Sequence, residues 1–501
     1  MGNYTFKLTF EQYSVILVCM AFFFTFLRLH EVKVIEKRVF HIAGFIVVAL
    51  GCGLFTNQII LSDFMEEHQI NIRMFRPMES YQKYGGVLTF ARSVGYAVVK
   101  KPEGYTTAKV DQIIQENEKK SANEQQSTAK QYPNIITVVN ETFADIKVLG
   151  DFKTNEDYMP YFHSLKKNCV TGYTYASIVG GQTANTEFEL LTGNTLGFLS
   201  AGTTAFQLYI HGQMPSLVSN LKAEGYSGNK AMHPFNPYNY NRPAVYKDFG
   251  FADFIDKFDF PKNVKRVREY ISDEANVDRI ISEYEKNRKK TDQPFYMYNM
   301  TIQNHSPYDK DAANFKQPIK IESSKYDAEA NRYLNLIKYS DDSLKQLTSY
   351  FEKCKEPTII LFLGDHQPRL TDEFMNKITN GQYQTWSSEQ MMKRYQVPFV
   401  IWANYDIKEQ HIEKTSMNYI QSILTKTAGV KMTGYQRFLN EVRKEVPTIT
   451  SQGYWGKNGK FYQINDKGSP YYGIIQKYRM IQYNMMFDKK NRRDSFFEVS
   501  K

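Results

Sequence analysis

Four runs of strand length constrain this chain more than any other feature. They are IITVV at Ile135–Val139, FYMYNMTIQ at Phe295–Gln303, TIILFL at Thr358–Leu363 and PFVIWA at Pro398–Ala403. Each is nearly continuous in apolar or aromatic residues, where a strand with one wet face would alternate. Strands apolar on both sides must be covered on both, which is the situation of a parallel sheet between helical layers. Helical stretches such as Glu329–Lys353 separate the runs. The expected fold is therefore α/β, a mostly parallel sheet sandwiched by helices. In open sheets of this kind, ligands bind beyond the carboxyl ends of the strands. The runs end in Asn140-Glu141, Asn304-His305, Gly364-Asp365-His366 and Asn404. Taken singly, a Glu at a strand end is usually solvated and a lone His is usually structural. Glu141, His305 and Asp365-His366 brought to one edge are a different matter, because these oxygen and imidazole donors suit a hard or borderline divalent cation.

A further segment belongs with that edge. In SIVGGQTANTEFELLTG, Ser177–Gly193, two glycines lead into Thr183 and the EFELL that follows has helical character. A glycine-rich turn opening a helix aims backbone N–H groups and the positive end of the helix dipole at an anion. Thr183 has two readings here. It can be the N-cap of the helix, the commonest task for Thr in such a place. Alternatively, beside a divalent cation, its hydroxyl loses its proton more readily and becomes a nucleophile for phosphoryl transfer.

The rest of the chain sets limits. Its 501 residues leave room for about three units, one of them a large catalytic domain. Apolar residues make up 42% and charged residues 23%, so a core can form. A mean hydropathy of −0.51 excludes a polytopic carrier over most of the length. The net charge of +10 is spread along the chain, so no nucleic-acid-binding arm is expected. Four cysteines without a CxxC pair indicate neither a zinc site nor a disulfide scaffold. Near the N-terminus, Tyr13–Leu27 and Phe40–Leu61 carry no formal charge. The second is long enough to cross a hydrocarbon core of roughly 30 Å. Arg28, Lys33, Lys37 and Arg38 lie between the two segments, which puts that loop in the cytoplasm and the chain after Leu61 outside. Residues 1–61 are thus read as a transmembrane region of one or two spans. Residues 62–131 are read as a juxtamembrane helical segment, with a turn at Lys100–Thr107 and a solvated helix running into a linker over Ala108–Gln131. Residues 132–488 form the catalytic domain and 489–501 a charged tail.

Glu141 after a strand, Thr183 in GGQTANTEFELLTG, NHSPY at Asn304–Tyr308 and GDHQPRL at Gly364–Leu370 together resemble the lipoteichoic acid synthase family. These are membrane-anchored phosphoglycerol transferases of the alkaline phosphatase and sulfatase superfamily, and the resemblance spans roughly Ser80–Asp488. It implies that Glu141, Thr183, Asp365 and His366 bind one divalent cation, usually manganese in this family, with magnesium the alternative, and that Thr183 is the nucleophile. It also implies that His305 contacts the substrate phosphate. YNYNRPAVYKDFGF resembles the family's aromatic-Asn-Arg segment, which places Tyr240 and Arg242 around glycerol phosphate, with His233 nearby. The implied donor is phosphatidylglycerol and the implied acceptor a teichoic-acid-like polymer or glycolipid. The implied location is the bacterial cell membrane, with the catalytic domain outside. Two features depart from the family: at most two spans where five are common, and Tyr240 where Trp is typical. The formylglycine motif of true sulfatases, Cys/Ser-x-Pro-x-Arg, is not what surrounds Thr183, so sulfate ester hydrolysis is not expected. A phosphoethanolamine transferase, a phosphodiesterase or a non-catalytic polymer-binding protein are the alternatives.

Overall fold

The structure is a computed structural model that describes residues 38–57, 77–97, 99–121, 131–322, 327–381 and 383–499. The chain divides into two compact units, Met1–Val98 and Val99–Lys501. The first contains helices α1 (Arg38–Phe55), α2 (Pro77–Tyr84) and α3 (Gly86–Ala97). Tyr13–Leu27 lies outside the described residues, as does the end of Phe40–Leu61 beyond Asn57. Among the described residues no helix is long and apolar enough to cross a membrane, so the one or two expected spans are not observed. Within α1, Ile42, Phe45, Leu50 and Leu54 are all exposed. The helix is apolar around its whole circumference, the pattern of a segment that is covered rather than solvated.

The second unit is built on an eight-stranded sheet. Its strands are β1 (Asn134–Asn140), β2 (Cys169–Tyr175), β3 (Ser227–Met232) and β4 (Asp253–Ile255), then β7 (Phe295–Met300), β8 (Thr358–Gly364), β9 (Gln396–Ala403) and β10 (Gln410–Ser416). A separate hairpin is formed by β5 (Arg266–Val267) and β6 (Tyr270–Ile271). The order across the sheet is β10-β2-β9-β8-β1-β7-β3-β4. The four apolar runs occupy the centre as expected, with β1, β7 and β8 buried throughout. β1 pairs in parallel with both β7 and β8, and the register Val139↔Met300 and Asn140↔Gly364 brings their carboxyl ends level.

β9 departs from expectation. It runs antiparallel to β8 and to β2, so Asn404 falls at the opposite edge from Glu141. There its side chain donates to the carbonyls of Phe351, Cys354 and Glu356 and pins the approach to β8. An apolar run does not encode its own direction.

Helices cover both faces. Alternate residues Ile136, Val138, Ile360 and Phe362 pack into one core with Ile280 of α7 (Asp273–Arg288) and Leu334, Ile337 and Leu344 of α8 (Ala328–Phe351). On β7, Met297 joins that core. Tyr298 points the other way, as pleating requires, and reaches Glu187 of α5 (Thr183–Thr192). Other helices of this unit include α4 (Thr107–Ser121), α6 (Arg242–Phe249), α9 (Met417–Thr427), α10 (Gly434–Glu445) and α11 (Tyr472–Met486).

Two segments, one read as a solvated helix and one as a charged tail, are bound to this unit. α4 buries Val110 and Ile113, and Asp111 pairs with Arg493 at 2.6 Å. The expected tail carries Phe496 and Phe497 into the core, where Phe497 meets the ring of Tyr435 at 5.3 Å. In both places a few apolar residues set among charges are enough to dock the segment. Cys169 and Cys354 are free thiols.

Candidate active site

The site forms where β1, β7 and β8 end together. Glu141 begins the turn after β1, and Thr142 takes a left-handed conformation (φ 49°). Residues past the end of β7 hold that turn: the Glu141 N–H donates to Thr301 Oγ1 at 3.0 Å, and Asn304 donates to the Glu141 carbonyl at 3.0 Å. The end of β8 comes so close that a Cβ at Gly364 would lie 1.8 Å from the Phe143 carbonyl oxygen. Only glycine allows Asp365 to stand beside Glu141.

Asp365 Oδ1 accepts the N–H groups of Thr142 (2.7 Å) and His366 (2.8 Å). His366 donates from Nδ1 to the Gln367 carbonyl at 3.0 Å, which leaves Nε2 with a bare lone pair, the tautomer that a metal-binding imidazole uses. Among the described residues, Asp365 Oδ2 and His366 Nε2 are buried without a hydrogen-bond partner, and they lie 3.1 Å apart. Glu141 Oε1 is 3.9 Å from the same nitrogen. One ligand atom from each of Glu141, Asp365 and His366 falls within 4.8 Å of the others. Burial and then the charge of Asp365 push the Glu141 carboxyl well above the usual carboxylate range, with Arg242 pulling the other way. Buried polar atoms are rarely left unmatched, and a cation at this point would satisfy all three groups at once. The donor set fits a divalent ion.

Thr183 stands against this cluster. The N-cap of α5 is Gln182 (φ 67°), and Thr183 is the first helical residue. The capping reading of Thr183 is therefore wrong. Its hydroxyl instead donates toward Glu141 Oε2 at 3.5 Å. Gly180 (φ 67°) and Gly181 (φ 142°) make the turn that no other residue enters without strain. Thr186 Oγ1 donates to the Asp365 carbonyl at 2.8 Å, locking α5 to the strand that carries two of the candidate ligands.

The four proposed substrate contacts gather here too. Tyr240 and Asn241 both hold left-handed backbone (φ 60° and 58°), strain of the kind that concentrates at functional sites. The Arg242 guanidinium lies 5.1 Å from the centre of the Tyr240 ring. His233 donates from Nδ1 to the Met300 carbonyl at 3.0 Å. Burial, and then the charge of Arg242, hold its pKa well below the usual value, so it is neutral. His305 stacks on Phe235 at 6.3 Å, and burial lowers its pKa as well. Arg268, from the β5–β6 turn, donates to the carbonyls of Gln303, His305 and Pro307 and fixes the loop.

Sequence reasoning missed the partners behind these groups. Glu187 receives both Nε (3.0 Å) and Nη2 (2.6 Å) of Arg242 on Oε1. Its Oε2 accepts the hydroxyls of Tyr246 and of Tyr298, the latter at 3.2 Å. The one available signal was spacing, since Glu187 lies one helical turn after Thr183 on the same face.

A mostly parallel sheet covered by helices, with a hydroxyl, two carboxylates and an imidazole at one strand edge, defines a protein of the alkaline phosphatase class. Comparison narrows this. The sulfatase family model matches residues 133–430. A Rhizobium meliloti relative named as a candidate cyclic β-1,2-glucan modification protein is 30% identical over 85% of this chain and 65% of its own length. The lipoteichoic acid synthase of Staphylococcus saprophyticus is 23% identical over 72% of this chain and 55% of its own length. Among solved structures, the Streptococcus pyogenes phosphoglycerol transferase GacH, in complex with sn-glycerol-1-phosphate, shares the fold with a TM-score of 0.65. It is 20% identical, over 80% of this chain and 100% of its own. The chain belongs to the sulfatase family, as a lipoteichoic acid synthase-like member of the alkaline phosphatase and sulfatase superfamily. It spans less than two thirds of the length of these two curated relatives.

Proposed function

We propose that this protein transfers glycerol phosphate from phosphatidylglycerol to a hydroxyl of a cell-envelope glycan, polymer or glycolipid through a covalent phosphothreonine. The observation that carries this reading is the hydroxyl of Thr183, first residue of α5, pointing at Glu141 beside Asp365 Oδ2 and His366 Nε2, which have no hydrogen-bond partner among the described residues. Glu141, Thr183, Asp365 and His366 would together hold a divalent cation, manganese or magnesium, which supplies the Lewis acidity that makes a hydroxyl nucleophilic near neutral pH.

The Thr183 Oγ–P bond forms as the bond from phosphorus to the diacylglycerol oxygen breaks, and that oxygen takes up a proton as diacylglycerol leaves. The acceptor hydroxyl then attacks the same phosphorus, gives up its proton, and frees Thr183. Arg242 offsets charge on the equatorial oxygens, the main task in such transfers, and His305 lies against the phosphate. Tyr240 and the neutral His233 line the glycerol side. The names of the Rhizobium meliloti and Staphylococcus saprophyticus relatives support a glycan or polymer acceptor. A lipid donor gives the chain a reason to stay at the outer face of the membrane, through Tyr13–Leu27, Phe40–Leu61 or both.

Mass spectrometry of the protein after mixing with phosphatidylglycerol tests the reading. The expected result is a glycerophosphate adduct on Thr183. A phosphoethanolamine adduct from phosphatidylethanolamine alone would reassign the donor, and no adduct with either lipid would remove the covalent mechanism.

A further inference from the structure

The Arg242–Glu187 ion pair is more elaborate than charge balance requires. Both side chains are buried, at 1% and 0% exposure. A guanidinium can present two of its edges to oxygen anions. Here Glu187 Oε1 takes the Nε–Nη2 edge at 3.0 and 2.6 Å, so the guanidinium plane is set by the carboxylate. Nη1 makes a long contact to the Asn239 carbonyl at 3.5 Å. The carboxylate is fixed in turn by Tyr246 of α6 and Tyr298 of β7 on Oε2. Glu187 and Thr183 also stand on one rigid helix, four residues and about 6 Å of rise apart.

We infer that Glu187 is a positioning residue: it holds Arg242 at a set distance from the Thr183 hydroxyl, so that the guanidinium meets the phosphate the hydroxyl attacks. This rests on the proposed phosphoglycerol transfer. One helix carries both the nucleophile and the brace for the phosphate anchor, so the helix itself sets their spacing. A displacement of about 1 Å in such a group can cost on the order of a hundredfold.

The test compares wild type, Glu187→Gln, Arg242→Lys and the double variant in the full chain. Diacylglycerol release from phosphatidylglycerol vesicles gives kcat and KM, calorimetry with glycerol phosphate gives anion affinity, and thermal melts control for folding. Glu187→Gln is expected to lower kcat/KM by roughly a hundredfold and to weaken glycerol phosphate binding in parallel. In the Arg242→Lys background the same change should add less than about twofold, because residues acting through one another are not additive. If Glu187→Gln does not fold, Tyr298→Phe, which keeps the ion pair and removes one hydroxyl from Oε2, should give a smaller loss in the same direction. Two results would overturn the inference: folded Glu187→Gln or Tyr298→Phe proteins within twofold of wild type while Arg242→Lys is crippled, or losses that multiply in the double variant. Wild type that neither releases diacylglycerol nor binds glycerol phosphate would instead strike down the proposed function, and the inference with it.

Discussion

Two buried carboxylate clusters lie within one helix of each other, and they are finished to different degrees. Around Glu187, both carboxylate oxygens are occupied, by Arg242 on one and by Tyr246 and Tyr298 on the other. Around Asp365, one oxygen is occupied by two N–H groups, while Oδ2 and the facing His366 Nε2 have no hydrogen-bond partner among the described residues. Burial is equally deep in both places. The difference separates a cluster complete within the protein from one with donor atoms left over for a ligand. A closed cluster holds geometry, and an open one does chemistry.

That contrast can be broken in several ways, of which the nucleophile is the most severe. Thr183→Ala should lower lipid turnover by several orders of magnitude with little change in melting temperature. The residue does not cap α5, so even the usual capping loss of about 1 kcal/mol should not appear. Thr183→Ser should retain part of the activity. Lipid turnover and thermal melts of the three proteins check this, and a well-folded Thr183→Ala at the normal rate would sink the mechanism.

Removal of that ligand comes next. Chelation should abolish turnover, and manganese or magnesium should restore it. Saturating manganese should raise the melting temperature of wild type, since a ligand at a hundred times its Kd stabilises by about 2.7 kcal/mol. Asp365→Asn should lose that rise. Calorimetric scans with and without the metal distinguish these cases. An equal metal-induced rise in Asp365→Asn would place the ion elsewhere.

The closed cluster should respond differently. Glu187→Gln leaves Arg242 buried and uncompensated, at a cost of about 3–5 kcal/mol in stability. It should leave the metal-induced rise in melting temperature intact. Loss of both together would mean that the two clusters are one unit.

A pH-dependent effect belongs to Glu189, on the same helix. Burial pushes its carboxyl up to about 7, against hydrogen bonds from Ser177, Thr195 and the Leu196 N–H, and Oε2 has no partner among the described residues. With the folded value raised, the unfolded chain releases this proton first as pH rises. The stability the group contributes is therefore full below about pH 4.5 and is lost as pH climbs through about 7. The change is at most about 3 kcal/mol from the linkage relation. Denaturant melts at pH 4.5 and pH 7.5 should show this slope in wild type and a flatter one in Glu189→Gln.

How much of this was legible follows from what each residue says locally. β1, β7 and β8 could be read because they are apolar on both faces, and Glu141, Asp365 and His366 because they follow those runs directly. β2, β3 and β10, such as QHIEKTS at Gln410–Ser416, were not read as strands, since outer positions in a sheet tolerate polar and small residues. Glu187 looked like one more acidic residue in a helical stretch. Its importance depends on Arg242 and on the tyrosines of α6 and β7, which come from distant parts of the chain. Val110 and Ile113 in α4, and Phe496 and Phe497 near the end, were too few among their charged neighbours to signal docking.

By itself, then, the sequence determined the layered α/β sheet, its central strands, and a group of candidate metal-ligating and nucleophilic residues at one edge. Those properties follow from local patterns: double-faced hydrophobicity, and polar residues that stop it. Only the tertiary structure decided the direction of β9, the rejection of Thr183 as a cap, and the division between an open and a closed carboxylate cluster. Whether a buried oxygen has a partner depends on groups that folding brings in from far along the chain, and no local pattern contains that information.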